Sequence, residues 1–187
     1  MDTDAKGAND RLNNLVAITV VIISVFMAVS NVKDGNIGQN MALEKSDAVD
    51  TWSEYQSAKL KLHLAENALS ELTVLASAQG ADAAVIAKEK TRLEGAIGKY
   101  TGKSAQLMQT AKAHEAAYDA LNVHDDQFDM SEAFLSIALA LAATAALVGL
   151  NWLLYVCWGA SAMGFVMGMA GFLGLNLHSD FAARLLG

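Results

Sequence analysis

Two long apolar stretches enclose a polar middle whose apolar residues return at every seventh position, and this layout restricts the possible folds more than any other feature. The first stretch, residues 12–32, carries no charge over 21 residues. A helix needs about 20 apolar residues to cross hydrocarbon. The second, residues 133–177, is uncharged over 45 residues, and one helix of that length would be about 67 Å long, over twice the hydrocarbon thickness. It therefore reads as two spans. Proline is absent, and no alternating β-branched runs bounded by turn residues occur, so long unbroken helices are expected throughout.

The expected fold is an all-α membrane protein: three transmembrane helices, with a long antiparallel coiled-coil hairpin between the first and second. Residues 1–11 form an N-terminal tail, 12–32 the first span and 33–131 the extramembrane hairpin, with its turn near 79–82. Residues 132–156 form the second span, 158–177 the third and 178–187 a C-terminal tail. The aromatic cluster Trp152, Tyr155 and Trp158 resembles an interfacial belt, so the turn between the last two spans is expected at Cys157–Gly159. The acidic start and the length of the first apolar run favour an uncleaved anchor over a signal peptide.

In the first half of the polar middle the recurring residues are Met41, Ala48, Tyr55, Leu62, Leu69 and Ala76; in the second they are Ile86, Leu93, Tyr100, Leu107, His114 and Leu121. Sustained seven-residue spacing is the mark of a helical seam. Between the halves, Gln79-Gly80-Ala81-Asp82 offers a helix-ending glycine and then an Asp N-cap. Folding there sets Leu69 against Leu93, Leu62 against Tyr100, Tyr55 against Leu107 and Ala48 against His114. Trp52, Leu60, Leu64, Leu72 and Leu75 widen the apolar face beyond one seam, which points to contacts between hairpins of different subunits or to residues flanking the same seam. Gly95, Gly98 and Gly102 weaken the second helix, either admitting a neighbouring helix or marking a bend.

Within the spans, small residues form rows: Ala138, Ala142 and Ala146 in the second, Ala160, Gly164 and Gly168 in the third. Such rows let helices approach closely in lipid, serving either the packing of span two on span three or a subunit interface. No Asp, Glu, Lys, Arg or His lies within residues 12–32 or 133–177, which disfavours proton relays and charged-substrate transport. The net charge of −7 and the interleaving of Lys88, Lys90 and Arg92 with Glu89 and Glu94 exclude a phosphate-tracking surface, hence no nucleic-acid partner. His124, Asp125, Asp126 and Asp129 match no EF-hand or zinc spacing and read as an acidic helix boundary. No nucleophile motif or phosphate loop is present; neither enzymatic activity nor a cofactor or metal is expected.

The stretch VKDGNIGQNM, then Asp50, Trp52, Tyr55, Gln56 and Lys59 opening the hairpin, and the ending GFLGLNLHSDFAARLLG together resemble the bacterial membrane family catalogued as domain of unknown function 4337. The resemblance implies a short anchor, a helical hairpin and a C-terminal pair of membrane helices, and brings no catalytic residues. It also implies a multi-pass bacterial inner-membrane protein. Relatives with a basic turn between the last two spans would place that turn in the cytoplasm and the hairpin in the periplasm; here residues 150–159 carry no basic residue. With Lys6 and Arg11 ahead of the first span, a cytoplasmic N-terminus and a periplasmic hairpin are the expectation. The expected partners are the bilayer and further copies of the chain, in a non-enzymatic homo-oligomeric scaffold. The alternatives are an accessory subunit on a larger respiratory or photosynthetic membrane complex and, more weakly, an oligomeric channel.

Overall fold

A computed structural model describes residues 2–77 and 82–175, with side chains described from Asp10 onward. The described chain is three helices: α1 (Asp2–Ala76), α2 (Ala83–Val148) and α3 (Asn151–Leu173). Each is long and apolar enough to cross a membrane. The 75 residues of α1 far exceed the roughly 20 that hydrocarbon can hold, so most of this helix serves another purpose. The chain divides into two compact units, one built from residues up to Met41 and from Asp119, the other from Ala42–Tyr118.

The helix ends follow local chemistry. Ser77 closes α1, its N–H and hydroxyl both donating to the Val74 carbonyl. Asp82 opens α2 as expected, its Oδ1 accepting from the N–H groups of Ala84 at 2.9 Å and Val85 at 3.4 Å. Gln79, Gly80 and Ala81, expected to form the turn, lie outside the described residues. Gly174 ends α3 in the left-handed region at φ 65°, where Leu175 N–H reaches the Ala170 carbonyl at 3.0 Å.

The turn between the last two helices differs from expectation. It is formed by Gly149 and Leu150, not by Cys157–Gly159, so the boundaries 132–156 and 158–177 give way to an α2 ending at Val148 and an α3 beginning at Asn151. Gly149 adopts φ 72°, and its N–H bonds the Ala145 carbonyl at 2.9 Å. Glycine takes this left-handed conformation without steric cost. Gly159 instead continues the helix, and Trp152, Tyr155 and Trp158 all lie on α3 rather than around a turn. By their contacts, residues 33–41 and 119–131 group with the apolar helices, and Ala42–Tyr118 form the polar unit.

In the unit of 42–118, α1 and α2 pack side by side through the expected rows. Leu62 and Leu93 are buried, with Ala48, Ala58, Ala65 and Ala111. Tyr55, Leu69, Ile86, Tyr100, Leu107 and His114 are half-buried beside them. Burial on α1 keeps one seven-residue phase over almost the whole helix: positions 16, 23, 30 and 37 continue as 44, 51, 58, 65 and 72, and none is exposed. On α2 the row of Leu93 continues through Leu121, Phe128 and Leu135 to Ala142.

In the other unit, Leu12, Val16 and Ile23 of α1 join Leu135, Ala138, Ala142 and Ala145 of α2 and Leu154 and Cys157 of α3 in one core. The large exposed side chains here are apolar, among them Ile18, Val21, Val25, Val166 and Leu173. Outward apolar side chains around an apolar core are what a lipid-facing helix group requires.

Candidate assembly surfaces and the acidic junction

The alternation of small and large residues at seam positions lets α1 and α2 approach in the 42–118 unit, and polar side chains at its margins fix the pairing. Trp52 Nε1–H donates to Glu115 Oε1 at 2.8 Å, and its ring meets Tyr55 edge-on at 5.3 Å. His114 Nδ1–H donates to Glu44 Oε2 at 2.7 Å. Lys103 and Glu54 lie 3.8 Å apart, and Lys45 sits 5.6 Å over the Tyr118 ring. Glu44 meets His114 and Glu54 meets Lys103, and only residues 77–82 separate the two helices, so α1 and α2 run in opposite directions. His114 was expected to face Ala48. It reaches one turn further to Glu44, because an imidazole at a half-buried seam position needs an acceptor that alanine cannot offer.

The residues expected to face other subunits divide into two groups. Trp52 is held by Glu115, and Leu72 is half-buried in the row of Ala58 and Ala65; both are therefore engaged within the hairpin. Leu60, Leu64 and Leu75 are not, at 61%, 59% and 60% exposed. With Val74 they lie along the side of α1 turned away from α2. On α2, a Cβ added to Gly95, Gly98 or Gly102 would meet nothing within 4 Å. No described intrachain contact therefore calls for these glycines, although each costs about 0.5–1 kcal/mol relative to alanine in a helix.

Small residues in the apolar unit serve intrachain packing. A Cβ at Gly164 would lie 2.7 Å from the Leu135 side chain, at Gly168 2.7 Å from Phe26 and 2.8 Å from Ser131 Oγ, and at Gly171 2.9 Å from Phe128. These glycines let α3 sit against α2 and α1, with Phe26, Phe165, Phe172 and Phe128 in edge-to-face contact around them. Ala138 and Ala142 are fully buried as expected. Ala146 and Ala160 are only half-buried. Ala145 takes the buried place expected of Ala146, because burial on α2 follows alternating three- and four-residue steps rather than a strict four-residue row.

The acidic helix boundary of Asp125, Asp126 and Asp129 gains a further member, Asp34, which the sequence pattern did not single out. Asp34 of α1 and Asp125 of α2 are hydrogen-bonded to each other, with Asp129 and Glu132 acting on Asp34 as further negative charges. Burial, then these carboxylates, push the Asp34 pKa up to about 6. Burial and Asp129 also raise that of Asp125. Asp34 falls seven residues before Met41, so extending that seam row past the hairpin would have found it. Because the Asp34 pKa is raised on folding, its contribution to stability is fully present below pH 3.8 and lost as pH rises through about 6. Asp34→Asn is expected to raise stability at pH 7 by about 1 kcal/mol after solvent screening and to flatten the pH dependence between 3.8 and 6. Thermal unfolding in detergent across that range is the check; an unchanged slope would show that Asp34 does not carry it.

Histidine 178 and the tail 178–187 lie outside the described residues. Among those described, no group of three His, Cys, Asp or Glu side chains could hold a metal ion. No curated protein and no solved structure matches the chain. The family model described as Domain of unknown function (DUF4337) matches residues 12–174, which takes in all three helices from the first buried leucine to the glycine that ends α3. The chain belongs to this family.

Proposed function

We propose that the protein is a non-enzymatic, homo-oligomeric scaffold of a bacterial inner membrane, whose antiparallel coiled-coil hairpins assemble with one another outside the bilayer. One observation carries this reading: Leu60, Leu64 and Leu75 form an exposed apolar face on the polar unit. An isolated hairpin has no use for such a face, whereas a neighbouring hairpin gains by covering it. Support for a coiled coil comes from the three- and four-residue alternation of burial along α1 and α2. Three membrane crossings place the hairpin and the C-terminus on one side, periplasmic in this reading, with the N-terminus in the cytoplasm.

Two copies with different tags, co-expressed and solubilised in mild detergent, test the homo-oligomer. The proposal expects each tag to bring down the other. Recovery of single protomers with unrelated membrane subunits would contradict it and favour an accessory subunit. For the hairpin, Leu62→Cys with Tyr100→Cys in one chain is expected to give an intrachain disulfide on mild oxidation, seen as faster migration in a denaturing gel. Absence of that bond would break the proposed register, since a disulfide needs Cα atoms about 5.5–6 Å apart.

A further inference from the structure

Resting on the homo-oligomer reading, we propose that the exposed leucine face of α1 docks on the glycine face of α2 in the next copy. The two faces lie on opposite outer sides of one hairpin and match level by level. Trp52 with Glu115, Glu54 with Lys103, Glu44 with His114 and Lys45 with Tyr118 bracket the correspondence to within about a turn and a half of a central register. In that register Leu64 stands at the height of Gly98, Leu60 at that of Gly102 and Asn67 at that of Gly95. The two exposed leucines thus share their heights with glycines around which an added Cβ would find open space.

Copies inserted in one bilayer with one topology turn the same end of the hairpin towards the membrane. A sideways shift from one copy to the next therefore brings equal heights together without rotation, seating Leu60 and Leu64 over Gly102 and Gly98. Charge agrees with this alignment. Asp50 comes to the level of Lys112, and Glu71 to within a turn of Lys88. All four are exposed, and none makes an ion pair among the described residues. Above Ser53 and Ser57, the opposing side chains are Gln109 and Ala105, which leave room for close approach. Between Asp50 and Val74 the one like-charged pair that shares a level is Lys59 with Lys103, and Lys103 is already paired with Glu54 at 3.8 Å. Such a contact joins two different faces, so it repeats from copy to copy and builds a ring or a row rather than a closed dimer.

Cysteine pairs in the full-length chain in its native membrane, with Cys157→Ser as background, test this arrangement. Copies bearing Leu64→Cys and differently tagged copies bearing Gly98→Cys are expected to form a mixed disulfide dimer when co-expressed. Both substitutions in one chain should give a ladder beyond the dimer. No mixed product, or products of Leu64→Cys copies alone, would overturn this interface even where tagged copies still co-purify. Failure to co-purify would remove the homo-oligomer and this interface with it. Gly98→Leu supplies an independent arm, because its side chain enters open space within the protomer. It should abolish the oligomer by at least tenfold weaker association without lowering the unfolding temperature. An oligomer of unchanged mass would count against the interface.

Discussion

Gly168→Leu is expected to unseat α3 from the other two membrane-type helices, with a loss of about 3 kcal/mol in stability. A Cβ at this position would lie 2.7 Å from the Phe26 ring and 2.8 Å from Ser131 Oγ, and neither can withdraw freely. Phe26 is locked between Phe165 at 4.5 Å and Phe172 at 6.1 Å, and Ser131 is fully buried on α2. Close-packed interiors transmit such a clash instead of absorbing it. Gly159→Leu is the matched control: the same change on the same helix meets nothing within 4 Å. Unfolding followed in detergent should separate the two, with Gly168→Leu strongly destabilised and Gly159→Leu close to the parent. Equal behaviour would mean that α3 does not pack on Phe26 and Ser131.

The second large effect is on association. Leu60→Glu combined with Leu64→Glu is expected to dissolve the oligomer while leaving the protomer's helix content and unfolding temperature nearly unchanged. Each leucine covered by a neighbour contributes about 1.5–3 kcal/mol, so losing both weakens association by roughly two to four orders of magnitude. Both side chains face away from α2 and are about 60% exposed, which is why the hairpin itself should tolerate the change. Trp52→Ala provides the contrast. Its indole bonds Glu115 and packs on Tyr55 inside the same hairpin, so its loss should lower hairpin stability first.

Much of this architecture was legible because membrane length and seam periodicity are written in residue type. The absence of proline and the uncharged runs identify three helices, and Leu62, Leu93 and Ala48 fall on rows whose spacing is independent of tertiary detail. The turn at Gly149 was misplaced because the aromatic trio at 152–158 suggested an interface, whereas the chain turns at the residue that adopts φ 72°. Ala145 rather than Ala146 is buried, because a single residue's phase on α2 depends on which neighbours it meets. The widened face of α1 was visible in the sequence, but not which members were already engaged: Trp52 is distinguished from Leu60 by its contact with Tyr55 and a hydrogen bond to a residue 63 positions away. Asp34 was hidden by its polarity, since a seam row is read from apolar residues and Asp34 carries the spacing of Met41 past the hairpin.

The central claim is that copies of this chain associate through the outer face of the hairpin. Native mass measurement of the full chain in mild detergent, beside the Leu60→Glu, Leu64→Glu variant, tests it most directly. The protomer is 19.8 kDa. Association through this face gives a discrete multiple of that mass for the parent protein and a protomer-sized species for the variant; a parent of protomer mass, or a variant that keeps the parent's mass, would rule it out.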